Sequence, residues 1–286
     1  MTKRKITLLA SLFIGATSTS AMADYERISV DSNGSQHVAG GSINRDVTPD
    51  GRYVLMLEFG DEYTSNDSNG QPDLIRKDRV TGEVVLVTES ITGTGGNDRT
   101  EIASDAASMS ADGRYIAFAS KASNLVANDN NGTGDIFLRD MVNQTTIRIS
   151  AQEHDSRPSW SPDISDDGRY IVYQTSNQNI LPDLLPGEID NYGPHIYMYD
   201  RTDGTTIRLS ADQDGYRGNG SSGEPRISAD GKFVAFYTGA SNILDNDTNG
   251  TVDVVIYNTE TGEKTSAGTG TMPAISTDGR YVAYVN

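Results

Sequence analysis

Residues Ser110–Phe118 read SADGRYIAF, and this stretch decides the fold. Asp112-Gly113 makes a tight turn, because glycine supplies a left-handed backbone position and aspartate hydrogen-bonds back onto the turn. The residues that follow, Tyr115 to Ser120, alternate with the period of a half-buried strand, and no three- and four-residue helical spacing is present.

The same turn recurs along the chain as TPDGRYVLM (Thr48–Met56), SDDGRYIVY (Ser165–Tyr173), SADGKFVAF (Ser228–Phe236) and STDGRYVAY (Ser276–Tyr284). Its aspartates, Asp50, Asp112, Asp167, Asp230 and Asp278, are separated by 62, 55, 63 and 48 residues. An internal repeat of this length marks an array of supersecondary units. Each unit reads as four strands. Strand a precedes the Asp-Gly turn and strand b follows it. Strand c is DIFLRD (Asp135–Asp140), HIYMYD (His195–Asp200) or DVVIYN (Asp253–Asn258), and strand d is TIRIS (Thr146–Ser150) or TIRLS (Thr206–Ser210). Four strands per unit, repeated radially, predict an all-β propeller. The expected blades cover 42–88, 106–150, 162–210 and 225–267. The fifth is a closing blade built from both chain ends, 273–286 plus 26–30, because Glu26-Arg27-Ile28-Ser29 matches an orphan strand d. Such closure would remove an exposed sheet edge.

The pattern P-x-I-S-x-D-G-[RK]-[YF]-[VI]-[AV]-[FY], followed by D-I-[FY]-x-x-D, resembles the TolB-type propeller repeat, and it covers Glu26 to Asn286. The resemblance implies a propeller that serves as a binding scaffold, and the repeat count with the closing strands makes it five-bladed. It concerns the propeller alone: TolB carries a separate α/β domain ahead of it, whereas about 20 residues separate the leader described next from the first unit here. The family's contact with an outer-membrane lipoprotein would be carried over only by analogy of fold.

Lys3, Arg4 and Lys5 are followed by an apolar run from Ile6 to Ala16 and by Ala21-Met22-Ala23. This is the pattern of a secretory signal peptide over residues 1–23, cleaved before Asp24. The run is shorter than the roughly 18 apolar residues of a membrane span. The expected product, residues 24–286, is a periplasmic or secreted monomer. The chain has 40 acidic and 23 basic side chains, a formal charge of −17, and no cysteine. That charge repels nucleic acid and anionic lipid, and the missing cysteine excludes disulfides and thiolate chemistry.

In a propeller the a–b and c–d turns share one face, and the longer b–c loops and d–a connections share the other, where binding residues concentrate. Three b–c loops carry D-x-N-G-x-x-D: Asp67/Asn69/Asp73, Asp129/Asn131/Asp135 and Asp247/Asn249/Asp253, with a degenerate form at Asp190-Asn191-Tyr192-Gly193. Alternating oxygens around a glycine bend suit calcium, although the bidentate glutamate of an EF-hand is missing. The plainer reading has Asn-Gly make the turn while the aspartates satisfy loop amides. No cofactor is required by either reading. The d–a connections offer Arg99, Glu101, His154, Arg157, Trp160, Tyr216 and Arg217, including residue types enriched at binding hot spots. Trp160 could equally pack between blades.

His37, His154 and His195 show no metal-ligand spacing, and there is no G-x-S-x-G elbow and no phosphate loop. The expectation is therefore a non-catalytic scaffold that binds a protein or cell-envelope component through its long-loop face. The alternative is a carbohydrate-active or other hydrolytic or lyase enzyme, using paired carboxylates and calcium.

Overall fold

The computed structural model describes residues 26–35, 42–60, 63–101, 106–150, 157–177, 180–181, 193–245 and 247–286. The expected leader and its cleavage site, His37, His154 and the degenerate loop residues 190–192 lie outside them.

The described chain is built from strands. Blade 1 holds β1 (Ser42–Val47), β2 (Tyr53–Glu58), β3 (Asp73–Asp78) and β4 (Val84–Leu86). Blade 2 holds β5 (Ala107–Met109), β6 (Tyr115–Ser120), β7 (Asp135–Asp140) and β8 (Thr145–Arg148). Blade 3 holds β9 (Ser159–Ile164), β10 (Tyr170–Thr175), β11 (His195–Asp200) and β12 (Thr205–Arg208). Blade 4 holds β13 (Ser222–Ile227), β14 (Phe233–Thr238), β15 (Asp253–Asn258) and β16 (Lys264–Thr269). A last sheet pairs β17 (Thr271–Ile275) with β18 (Val282–Val285). Within each sheet the strands follow sequence order and run antiparallel, so the chain is an all-β propeller of radially stacked sheets.

The repeated motif explains the a–b turn. In blade 2 the Ser110 hydroxyl donates to Asp112 (2.6 Å), which also accepts the Arg114 amide (2.9 Å), and the Tyr115 amide donates back to Ser110 (2.9 Å). Thr48/Asp50, Ser165/Asp167, Ser228/Asp230 and Ser276/Asp278 repeat the arrangement. The basic residue after the glycine then crosses to the end of the third strand: Arg52 to Asp78 (2.7 Å), Arg114 to Asp140 (2.9 Å) and Arg169 to Asp200 (2.7 Å). Arg52, with backbone amides from the turn, holds the Asp78 carboxyl down to about 2.

Blades join by a knob and a socket. The aromatic ring after each turn lies beneath the turn glycine of the next sheet: Tyr53 under Gly113, Tyr115 under Gly168, Tyr170 under Gly231 and Phe233 under Gly279. Tyr115 is further held between the guanidinium groups of Arg114 and Arg201, at 4.7 and 4.0 Å from its ring centre. A relay of backbone hydrogen bonds links the same turns, from Ala111 to the Asp166 carbonyl, Asp166 to Ala229 and Ala229 to Thr277. Pro49, the counterpart in blade 1, has no N–H to contribute. The rest of each interface is apolar: Leu55, Leu57 and Leu74 of blade 1 pack on Ile116, Phe118 and Phe137 of blade 2.

The two ends of the array do not meet through hydrogen bonds among the described residues. Residues 26–30 form no strand and do not complete the last sheet. Instead Ile28 packs on Val54, Met56, Ile75 and Leu86 of blade 1. Lys77 donates to the Val30 carbonyl (2.8 Å), and Arg79 pairs with Glu26 (2.6 Å). The outer face of blade 1 is apolar, and covering it with this segment is the reason the segment is not free to pair as an edge strand. On the last sheet, Tyr281 has no glycine socket above it among the described residues and is 67% exposed.

Candidate binding face

The long-loop face comprises the described residues between second and third strands (59–60, 63–72, 121–134, 176–177, 180–181, 193–194, 239–245 and 247–252) and between blades (87–101, 106, 149–150, 157–158 and 209–221). Its described parts are tied to one another by side-chain amides. Asn97 donates its amide N–H to the Asn124 Oδ1 (2.9 Å) and its Nδ2 to the Ser123 hydroxyl (3.0 Å), and it accepts the Ser123 amide (2.8 Å). Asn219 makes the same three bonds to Asn242 and Ser241, at 2.7, 3.0 and 2.8 Å. The glycine before each asparagine lets the backbones approach: a Cβ at Gly218 would stand 2.8 Å from Ile243 and 3.0 Å from Ala240. These clamps were not singled out from the sequence. Their signal is a Gly-Asn pair followed by Ala-Ser-Asn, present twice as Gly96-Asn97 with 122–124 and Gly218-Asn219 with 240–242.

The three D-x-N-G-x-x-D loops share one geometry. The middle asparagine turns its Nδ2 toward the last aspartate: Asn69 to Asp73 (2.8 Å), Asn131 to Asp135 (2.7 Å) and Asn249 to Asp253 (3.0 Å). Its Oδ1 meanwhile accepts the amide two residues on, of Gln71 (2.5 Å), Thr133 (3.1 Å) and Thr251 (2.7 Å). The asparagine thus presents donors where a cation would need oxygens. Among the described residues no three acidic or histidine side chains are grouped to hold a metal ion.

In blade 2 an arginine already supplies the positive charge, since Arg148 reaches Asp129 at 2.7 Å and Asp135 at 3.5 Å, all three side chains being at most 10% exposed. Burial pushes the Asp135 carboxyl above its ordinary value, opposed by Asn131, Ser150 and Arg148. Blade 1 has Leu86 at the arginine's register position, opposite Ile75 as Arg148 is opposite Phe137. There burial raises the Asp73 carboxyl, opposed by hydrogen bonds from Thr88 and Asn69. This geometry predicts that the melting temperature of the chain is the same in millimolar calcium and in chelator. A clear upward shift with calcium, checked by thermal melting in both buffers, would contradict it.

The d–a candidates are dispersed. Arg99 is exposed. Glu101 is half-buried, lies 3.7 Å from Lys121, and shares the surroundings of Gly134 with the Ser159 carbonyl. That carbonyl directly precedes Trp160, so Glu101, Lys121 and Trp160 form one corner of the face. Trp160 is not a connection residue but lies within β9, half-buried and opposite Gln174. Arg157 and Tyr216 are half-buried. Arg217 is only 4% exposed, its backbone bridged to Ala211 and its carbonyl taken by Asn242. It belongs to the loop core, not to the surface where it was expected. His195 is 2% exposed, and its Nδ1 lies 3.3 Å from the Ser210 hydroxyl inside the sheet, so this Ser-His pair is closed to substrate.

Toward the centre, carboxylates bind the innermost strands together. Asp46 accepts the Met109 amide (2.8 Å), and Asp163 accepts the Ile227 amide (2.9 Å) and the Ser108 hydroxyl (2.9 Å). Each spans two or more blades.

No protein-family model matches the chain, and neither does any curated protein. Among solved structures the chain is similar to TolB from Acinetobacter baumannii, with 19% identity and a TM-score of 0.49 over 86% of this chain and 48% of that one. It is similar to a putative TolB from Agrobacterium tumefaciens, with 18% identity and a TM-score of 0.49 over 84% of this chain and 73% of that one. A structure from a study of two prolyl endopeptidases gives 12% identity and a TM-score of 0.51 over 89% of this chain and 33% of that one. The chain thus spans about half of the Acinetobacter TolB and a third of the endopeptidase. At these identities the likeness is one of fold alone.

Proposed function

We propose that this chain is an exported, non-catalytic scaffold that binds a protein or cell-envelope component through its long-loop face. The observation that carries the reading is the pair of asparagine clamps. They fix long, polar loops on a rigid array, and loops held in place before binding lose less entropy when a partner arrives. The leader pattern of residues 1–23 supports a periplasmic or secreted location. In this reading the array counts five blades, with the two-stranded sheet as the fifth.

The non-catalytic part of the proposal is supported by the engagement of the carboxylates. Asp46 and Asp163 hold neighbouring strands, and Asp135 is paired with Asn131 and Ser150. No cofactor is required.

The test is capture of a partner from a cell-envelope extract on the immobilised chain from Asp24. Arg99→Glu with Trp160→Ala, on the long-loop side, should abolish capture. Lys232→Ala, on the short-turn side where its only described ion pair is the exposed one to Glu260, should leave it intact. Equal capture by both variants would sink the loop-face reading. Turnover of chromogenic polysaccharides or peptides by the purified chain would replace it with the enzymatic alternative.

A further inference from the structure

On the short-turn side, where blade 2 meets blade 3, lies a recess of about 320 Å³, a size that suits a small molecule or a single side chain. Its floor is apolar. Leu138 and Ile147 are opposed across β7 and β8, so their side chains share the face that blade 2 turns toward blade 3. Leu138 is 3% exposed and belongs to the same core as Ile171 of β10, whereas Ile147, on the outermost strand, is 42% exposed. Tyr115 also lines the recess.

The free charge at the recess belongs to one arginine. Arg201 follows β11, and its guanidinium is fixed twice: Nε donates to the Gly168 carbonyl (2.8 Å), and Cζ lies 4.0 Å from the centre of the Tyr115 ring. Its two Nη atoms have no hydrogen-bond or acidic partner among the described residues. Arg114 and Asp140, which also line the recess, are paired with each other at 2.9 Å, and Asn143 donates to the same carboxylate at 2.9 Å. Arg201 is therefore an unmatched planar fork, oriented before any ligand arrives. Such a fork fits a carboxylate in both shape and charge.

The neighbouring joints lack this combination. The amides of Met141, Arg201 and Thr259 donate to the carbonyls of Arg114, Arg169 and Lys232, which makes the three residues equivalent. Between blades 1 and 2, Met141 takes the place of Arg201, and Arg76, opposite Val85, takes the place of Leu138. Between blades 3 and 4, Met198 and Ile207 reproduce the floor, and Ile207 is also 42% exposed. There, however, Thr259 takes the place of Arg201, and Asp203 that of Asn143.

We propose that this recess binds a monocarboxylate with a short branched apolar tail, the carboxylate on the Arg201 Nη atoms and the tail on Leu138 and Ile147. The acid is either free or the C-terminal residue of a polypeptide, since both present the same two groups. The site lies apart from the long-loop face and does not depend on the scaffold reading.

The probes are N-acetyl-leucine, N-acetyl-leucinamide and the peptide Gly-Ser-Gly-Leu with a free carboxylate, each titrated into the full chain and followed by amide chemical shifts. Both acids should saturate at one per chain, and the amide should bind at least about tenfold more weakly, the loss of a charge-assisted hydrogen bond. A peptide that binds more tightly than N-acetyl-leucine identifies a chain terminus as the ligand, and equal affinities identify the free acid. Arg201→Gln should weaken both acids by about tenfold or more. Because Arg201 also rests on Tyr115, the exposed Ile147→Asp serves as a second variant. It should weaken binding as much while the chain stays folded by circular dichroism, and Ile207→Asp, its counterpart one blade on, should leave binding unchanged. Thr259→Arg combined with Asp203→Asn should add a second site over Met198 and Ile207. Absence of saturation at tens of millimolar acid, equal binding of acid and amide, or equal losses from Ile147→Asp and Ile207→Asp would overturn the proposal. So would a stoichiometry that stays at one in the double variant.

Discussion

Gly168→Ala destabilises the protein by about 2–5 kcal/mol, whereas Gly132→Ala costs only about 1–2 kcal/mol. Both glycines have left-handed backbones, with φ of 67° and 68°, so both substitutions carry the same conformational cost. They differ in what the new methyl group meets. At Gly132 nothing lies within 4 Å, while at Gly168 the methyl would overlap the Tyr115 ring that the turn covers. That ring cannot retreat, because Arg114 and Arg201 hold its faces and Arg201 also donates to the Gly168 carbonyl (2.8 Å). Urea unfolding of the two variants measures the difference. A double-mutant cycle isolates its source: with Tyr115→Ala in place, Gly168→Ala should cost no more than Gly132→Ala. An undiminished cost in that background would show that the turn, not the knob beneath it, is the sensitive element.

The second large effect is expected from Arg148→Leu, which gives blade 2 the residue blade 1 already has. The substitution leaves the Asp129 and Asp135 carboxylates buried beside each other without their cation, and breaking such a pair costs about 3–5 kcal/mol. The loss depends on pH in a defined direction. Burial, the largest influence on both carboxyls, raises them, and removing Arg148 takes away an opposing influence. A carboxyl raised in the folded state stabilises that state below its unfolded value, about 3.9, and the benefit disappears as pH climbs through the folded value. The variant should therefore be most impaired at pH 8 and should recover as pH falls toward 5. The unaltered chain, which keeps its arginine, should change less over the same interval. Equal losses at both values would mean that Arg148 contributes packing and not charge.

The repeat was legible because its turn chemistry is local. A hydroxyl, an aspartate and a glycine within four residues define the same set of hydrogen bonds wherever they occur, and the five turns all form them. Interactions between distant residues were less legible. Arg217 reads as a surface residue in a polar loop, yet the loop closes over it. Trp160 was placed in the connection ahead of its strand, with the third blade starting at residue 162. The structure instead keeps Trp160 in β9 and absorbs Pro162 with a bulge, putting Ser161 at φ 54°. Glu224 and Met272, also followed by proline, take φ of 52° and 53°. Residues 26–30 matched a fourth strand in composition, but composition does not reveal that blade 1 has an apolar outer face for Ile28 to cover. In the D-x-N-G-x-x-D loops the sequence left two readings open, and what no spacing rule encodes is that each middle asparagine hydrogen-bonds the last aspartate of its own loop.

The ring of one unit beneath the glycine of the next has a consequence for how such genes change. Every repeat carries a protrusion for the neighbour behind it and a recess for the neighbour ahead. A duplicated segment inserted between two existing repeats therefore arrives with both halves of the joint already encoded, and a deletion brings together two parts that fit. The array can gain or lose whole units by recombination without any compensating substitution, so unit number is open to rapid variation while the joint itself is not.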